Sequence, residues 1–342
     1  MGRVMTIKTK MKKLAATVAI TTASFGAVLG TSSPVFADSS GAVQNPIVLV
    51  HGLSGFDSIL GDYFYGVKGE LSGVGATNVY TPQIAGWDND EVRGEELLAY
   101  IEDLLAATGA SKVNLMGHSQ GGTTSRYVAA VRPDLVASVT SIGSPHRGSK
   151  VGDIIKDSPL EGPAEAIGNA IGTMIAFVSG DSSQEANAMA VIEALNTDAS
   201  TAFTAKYPAG VRTGSCKSTP SYNAGSWWWP NWVKDYSVND GAHQVNGVRY
   251  YSWSGTYNGV FDSNVLDPLD GVMAVTNFMH DGAENDGLVE RCSSHMGDVI
   301  RDDYTLNHGD EINGFFGLRG LWSSAPLPIY SQQARRLKNA GL

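Results

Sequence analysis

Residues 112–126, KVNLMGHSQGGTTSR, carry the reading that decides the fold. Lys112 to Met116 reads as a short apolar strand, Gly117-His118-Ser119-Gln120-Gly121 as a tight turn, and the residues after it as the start of a helix. The turn fits G-x-S-x-G. A serine held at a sharp strand-to-helix turn needs small residues two positions before and after it, since larger side chains would clash with the adjoining strand and helix. That turn lifts the hydroxyl above the sheet edge and aims a helix N-terminus at any anion forming there. The motif alone is common by chance. Its flanks, apolar before and helical after, make Ser119 a candidate nucleophile.

Upstream, Pro46-Ile47-Val48-Leu49-Val50 is a continuous apolar run, the pattern of a strand buried on both faces. It ends in His51-Gly52-Leu53, where Gly52 lets the backbone turn so that the N–H of Leu53 can face the serine. His51 itself reads as a structural residue of that loop. Asn78 to Pro82 is strand-like. Glu91 to Leu105 reads as an amphipathic helix with Leu97, Leu98, Ile101, Leu104 and Leu105 on one face. The helix after Ser119 should run to about Val131, where Arg132-Pro133 stops it, and Val136 to Gly143 is a further strand. Alternating strands and helices predict a mostly parallel sheet with right-handed crossovers.

Beyond that sheet the pattern changes. Ile167, Ile171, Met174, Ile175 and Val178 form a helical stripe within Pro163–Val178, and a second helix is predicted from Gln184 to Leu195. Such a stripe is more often core than lid by spacing alone, but its position after the strand favours cap helices over about 157–196. Asn196 to Asn264 reads as aromatic and loop-rich, and Trp227-Trp228-Trp229-Pro230-Asn231-Trp232 as a loop packing its rings on the body. Arg249 to Trp253 and Val272 to Phe278 read as the next strands.

Residues 1–37 contain Arg3, Lys8, Lys10, Lys12 and Lys13, no acid, an apolar run from Leu14 to Leu29, and Val35-Phe36-Ala37 as a small-x-small cleavage signal. This predicts a secretory signal peptide, because the run is too dilute and short to span a bilayer. The mature part, 38–342, reads as a single domain. Setting the five leader cations aside leaves 19 basic against 34 acidic residues, a net charge of −15. That surface argues against nucleic acid and anionic membranes as partners. The two cysteines, Cys216 and Cys292, predict one disulfide in an oxidising compartment.

A nucleophilic serine needs a base, and the base an orienting acid, in the chain order nucleophile, acid, histidine for this strand-turn-helix site. After Ser119 come His146, His243, His280, His295 and His308, and after Phe278 come Asp281, Glu284 and Asp286. Asp286 lies in the turn-forming Asn285-Asp286-Gly287, and His308 in a polar loop before a closing helix. Asp286 and His308 lead, with Asp281 and His295 as rivals.

Five stretches, PIVLVHGLSG (46–55), VNLMGHSQGGTTSRYVAAVRP (113–133), SIGSPHRGS (141–149), NDGLVERCSS (285–294) and NHGDEINGFFG (307–317), together resemble the secreted bacterial true lipases of the Pseudomonas and Burkholderia type. The resemblance spans nearly the whole mature chain and is weakest from Ser215 to Val248. It implies an α/β-hydrolase fold with a helical lid, and a triacylglycerol lipase with Ser119 as nucleophile, His308 as general base and acid, and Asp286 as orienting acid. It also implies oxyanion donors on the backbone N–H of Leu53 and Gln120, and a Cys216–Cys292 disulfide. One structural Ca²⁺ is implied, held by Asp267 and Asp310 with the carbonyls of Gly314 and Leu318; Asp270 is the most credible alternative ligand. A dedicated foldase chaperone, two-step export across an outer membrane, a monomeric state and a lid opening at a lipid–water interface belong to the same expectation. No redox or nucleotide cofactor is indicated.

The sequence departs from that pattern at Phe278–Asp286 (FMHDGAEND), in the tryptophan-rich segment and at Gly309, between the histidine and Asp310. These departures bear on the surroundings of the acid and on chain-length preference. Two other readings keep the fold: an esterase or polyester depolymerase, and a non-catalytic binding protein. The last usually lacks a triad member, whereas all three positions are filled here.

Overall fold

The computed structural model describes residues 38–53, 62–86, 88–157, 195–220, 236–257, 259 and 263–342. The predicted lid helices at Pro163–Val178 and Gln184–Leu195 (all but Leu195 itself), the leader and the Trp227–Trp232 segment lie outside the described residues. Residues 37–342 form one compact unit.

Its centre is a sheet in the order β2-β1-β3-β4-β7-β8-β5, with β1 Ile47–Val50, β2 Val79–Tyr80, β3 Val113–His118, β4 Val136–Ile142, β5 Val238–Asn239, β7 Val248–Thr256 and β8 Asp298–Thr305. β6 (Gln244–Val245) folds back antiparallel onto the start of β7, and β5 pairs antiparallel with β8; the other pairings are parallel. The apolar run of β1 is explained by its two covered faces. Ile47 and Leu49 join one core with Met116, Trp253 and Tyr330, while Val48 and Val50 join the opposite core with Leu115, Leu97 and Ile101.

Helices α1 (Val67–Gly73) and α8 (Leu327–Asn339) supply residues to the first core, and α2 (Asp90–Thr108) and α3 (Gln120–Val131) to the second. α2 starts where the Asn89 side chain accepts from the N–H groups of Glu91 and Val92, and ends at Gly109, whose φ of 71° is a left-handed cap. α4 is Lys150–Asp157 and α5 is Thr197–Lys206. Cys216 and Cys292 form the disulfide, 76 residues apart in sequence. Among the described residues no helix is long and apolar enough to cross a membrane.

Two expectations are corrected, and one strand was not predicted. Val272–Phe278 is not a strand: Pro268–Asn277 is helix α6, begun by Pro268 in its first turn and capped by Asp267, whose carboxylate accepts from the Leu269 N–H. Its run of apolar residues is compatible with either period, and the cap decides. The start of the stretch read as loop-rich is helical: Thr197–Lys206 is α5, which Asn196 caps by accepting from the Ala199 N–H at 2.9 Å. Strand β8 was not foreseen at all.

Candidate active site

The register brings the C-terminal ends of β1, β3 and β4 side by side, pairing Val50 with Gly117 and Gly117 with Ser141. Ser119 follows β3 directly, with φ 56° and ψ −130°, a backbone strain that persists because its surroundings fix it. Its N–H donates to the Ile142 carbonyl at 2.9 Å and its carbonyl accepts from the Gly122 N–H at 3.0 Å. The flanking glycines are demanded by contact. A Cβ at Gly117 would lie 2.2 Å from the Gly121 carbonyl oxygen, and one at Gly121 would lie 2.1 Å from that of Val50.

The two residues read as base and acid meet. His308 Nδ1 and Asp286 Oδ2 are 2.8 Å apart, both buried. The other oxygen of Asp286 accepts from the N–H groups of Leu288 and Val289 at 2.9 and 2.7 Å, and the His308 N–H donates to the Asp286 carbonyl. Those bonds hold the carboxylate as a fixed partner for the imidazole, the arrangement that orients a general base. The rivals are placed elsewhere. Asp281 is a mostly exposed partner of Lys150, and His295 sits between Asp240 and Asp302 at 2.8 and 2.6 Å. His146 meets Arg126 and Ser141, and His280 meets Glu290.

His118 joins Ser119 to His308. Its ring centroid is 4.5 Å from that of His308. Its Nδ1 is 2.8 Å from the Tyr63 hydroxyl and its Nε2 is 3.0 Å from the His308 carbonyl, so Nε2 carries the proton and Nδ1 accepts. Burial, followed by the neighbouring His308, pushes its pKa well below the ordinary value, which keeps it neutral. Glu311 lies beneath the pair, fully buried, with Oε1 accepting from the Gly255 N–H at 2.6 Å and Oε2 3.3 Å from His118 Nε2. Burial, then the charge of Asp286, pushes its carboxyl well above the carboxylate range. Sequence order alone did not point to Tyr63, His118 or Glu311.

The loop with Leu53 lies directly against the serine. A Cβ on Gly52 would stand 2.6 Å from the Cβ of Ser119, and the Gly52 N–H donates to Tyr63 Oη at 3.0 Å. Arg93, wholly buried on α2, fixes the loop from behind: Nη2 donates to the His51 carbonyl at 2.6 Å, Nη1 to that of Ala85, and Nε to Thr124 Oγ1 at 3.2 Å. Gln120 opens α3, and among the described residues nothing accepts from its backbone N–H. His51 is a structural element of the loop, as its sequence context indicates, with burial and then Arg93 holding it near a pKa of about 4.

Two residues beyond His308, three buried carboxylates converge. Oxygen atoms of Asp267, Asp270 and Asp310 lie within 4.8 Å of one another. Asn307 ties them to the histidine loop, since its Nδ2 donates to Asp270 at 2.6 Å and to Asp310 at 3.2 Å while its Oδ1 accepts from the N–H groups of Gly309 and Asp310. Burial, opposed by the Leu269 N–H and reinforced by Asp270, pushes the Asp267 carboxyl up to about 7. Three such groups fit a cation: an all-oxygen, multiply anionic, buried set is what a hard divalent ion compensates. Asp270 therefore stands with the two predicted carboxylates. Gly314 opens the short helix α7 (Gly314–Gly317), and Leu318 follows it.

A sharply turned serine at a strand-to-helix junction, with an acid–histidine pair delivered from later loops, is the site architecture of α/β hydrolases. A sequence family described as alpha/beta hydrolase fold matches residues 45–257. A triacylglycerol lipase of Vibrio cholerae is 44% identical over 97% of this chain and all of its own length. Those of Pseudomonas fragi and Burkholderia plantarii are 39% and 37% identical, covering 89% and 90% of this chain and 100% and 90% of their own lengths. Among solved structures, the mature Bacillus licheniformis lipase BlEst2 matches with a TM-score of 0.53 at 16% identity, over 85% of this chain and 91% of that one, a likeness of fold alone. The chain belongs to the α/β-hydrolase family, within its group of bacterial triacylglycerol lipases.

Proposed function

We propose that the protein is a secreted carboxylester hydrolase that cleaves long-chain triacylglycerols through an acyl-enzyme on Ser119. The observation carrying this reading is the His308–Asp286 pair, 2.8 Å apart, whose histidine carbonyl takes a hydrogen bond from His118, the residue before a serine whose strained turn leaves no room for a Cβ on either flanking glycine. In it, Ser119 Oγ attacks the ester carbonyl while His308 Nε2 takes its proton; Asp286 holds the Nδ1–H and stabilises the imidazolium. The N–H groups of Leu53 and Gln120 stabilise the developing oxyanion, each worth roughly 3–4 kcal/mol. His308 then protonates the departing diacylglycerol alcohol. A water, deprotonated by the same nitrogen, releases the fatty acid and restores Ser119.

Asp267, Asp270 and Asp310, with the carbonyls of Gly314 and Leu318, would hold one Ca²⁺. When bound, it supplies charge compensation among the carboxylates, and Asn307 passes that order to the His308 loop. The leader at 1–37, the single domain 38–342, lid helices at about 157–196, a monomeric state and a foldase partner with two-step export complete the proposal. They are supported by the leader pattern and the family resemblance.

The test compares triolein with tributyrin, with and without chelator, for the wild type and Ser119→Ala. Hydrolysis of both esters by the wild type and a loss of roughly 10⁴-fold or more in the variant, with unchanged melting, are expected. Cleavage of tributyrin but not triolein would make the protein a short-chain esterase.

A further inference from the structure

Five large apolar side chains are exposed near the carboxylate cluster in the chain, four on loops and Phe316 on the short helix α7. Val265 is fully exposed and Leu266 is 70% exposed, just ahead of Asp267; Leu321 and Trp322 are 88% and 56% exposed. Phe316, 49% exposed, packs edge-on against Tyr65. Hydrogen bonds tie the segments together. The Asn264 side-chain amide donates to the Arg319 carbonyl at 3.2 Å, joining the first loop to the second, and Asn313 Nδ2 donates to the Tyr65 carbonyl at 2.9 Å beside Phe316.

The charge pattern identifies what the face fits. The chain carries 34 acidic residues, yet residues 263–266 and 316–324 contain one charged side chain, Arg319. Its Nη1 donates to the Ser324 carbonyl at 2.6 Å, within its own loop. An exposed apolar set whose only charge, Arg319, is bonded within its own loop, on a strongly acidic molecule, complements an uncharged apolar phase. Trp322 adds an apolar body with one polar N–H, suited to a lipid–water boundary. The footing is firm. The Asn264 N–H donates to Asp270, and Asp270 shares Asn307 with Asp310, so the face is built on the same residues as the loop of His308.

We propose that Val265, Leu266, Phe316, Leu321 and Trp322 form a lipid-adsorption surface that docks the enzyme on uncharged acylglycerol droplets. The proposal rests on the lipase reading above. It assigns droplet capture to residues near the histidine loop in the fold, outside the sequence segment of the predicted lid.

The experiment uses the full mature chain and the triple variant Val265→Ser, Leu321→Ser, Trp322→Gln, which alters no charge and no carboxylate. Droplet adsorption is measured directly, as the fraction of protein floating with a triolein emulsion. Hydrolysis of a monomeric soluble ester and the melting temperature are measured in parallel. Losing three large apolar contacts is expected to weaken droplet partition roughly tenfold or more, with soluble-ester kcat/KM and melting unchanged. Phe278→Ser removes an equally prominent ring, 85% exposed at the far end of α6, and is expected to leave adsorption unaltered. Wild-type adsorption by the triple variant overturns the proposal. So does a parallel fall in soluble-ester turnover, which would mean that the face acts through the histidine loop. Normal adsorption with impaired foldase-assisted refolding would also overturn it, assigning the face to a protein partner. Failure of the lipase reading is distinguishable, because it appears as wild-type protein that adsorbs without hydrolysing triolein.

Discussion

Gly121 shows how little room the nucleophile's turn leaves. A methyl at this position would lie 2.1 Å from the Val50 carbonyl oxygen and 2.7 Å from that of His51, both backbone atoms that cannot rotate away. Gly121→Ala must therefore move β1 or the start of α3, and with them the alignment of Ser119 with the Leu53 amide. A loss of roughly 10²-fold or more in kcat/KM is expected, with destabilisation of about 1–3 kcal/mol, read from ester kinetics and denaturant unfolding. Arg93 makes a different case. Its guanidinium serves four neutral acceptors, the carbonyls of His51, Gly52 and Ala85 and the hydroxyl of Thr124, while burial lowers its pKa. Arg93→Met would leave the His51 carbonyl without that donor and loosen the loop carrying Leu53. The expected signature is a fall in kcat exceeding the change in KM, because the oxyanion donor proposed at Leu53 would act on the transition state.

At the scale of elements, caps decide what hydrophobic periodicity leaves open. Asn196 begins α5 by accepting from the Ala199 N–H, and Asn196→Ala should cost about 1 kcal/mol, measurable as a lower denaturant midpoint at constant m-value. The strands β1, β3 and β4 were legible because their apolar runs are buried on both faces. Helix α6 was not, because the apolar residues of VMAVTNF suit either period; the decisive signal, Asp267 followed by Pro268, was read only as a metal ligand and its neighbour. Strand β8 was hidden for the opposite reason. Its DVIRDDYT sequence looks solvated, yet Arg301 pairs with Asp303 at 2.6 Å and Asp302 is held by Arg291 and His295 at 2.7 and 2.6 Å. Charges that neutralise one another across loops remove the hydrophobic pattern by which a buried strand is recognised. The acid–histidine pair was legible from order and turn chemistry, whereas Tyr63, His118 and Glu311 act through contacts between elements distant in sequence.

For the whole molecule, two cross-links bear on stability: the disulfide closing a loop of 76 residues and the carboxylate cluster between α6 and the histidine loop. The first constrains the unfolded chain by about 4 kcal/mol in the chain-entropy description, a contribution that varies little with pH in the neutral range. The second depends on pH, and its sign follows from Asp267. Without a cation, the folded state holds the Asp267 proton to about pH 7, whereas the unfolded chain releases it near its ordinary value of 3.8. Between those values the folded state binds more protons. Its stability therefore falls as pH rises through that window, by on the order of 4 kcal/mol if Asp267 alone carried the shift. A bound divalent cation removes the penalty by favouring the ionised carboxylates. Melting of chelator-treated protein should therefore drop as the buffer moves from about pH 5 to about pH 8, while calcium-loaded protein stays level or gains over the same range. The gap between the two should be widest at the alkaline end. Asp270→Asn in metal-free protein should flatten the decline by removing one of the converging charges, and should weaken calcium binding in a direct titration. A metal-free melting temperature that rose with pH would show that the three carboxylates are not the groups setting this dependence.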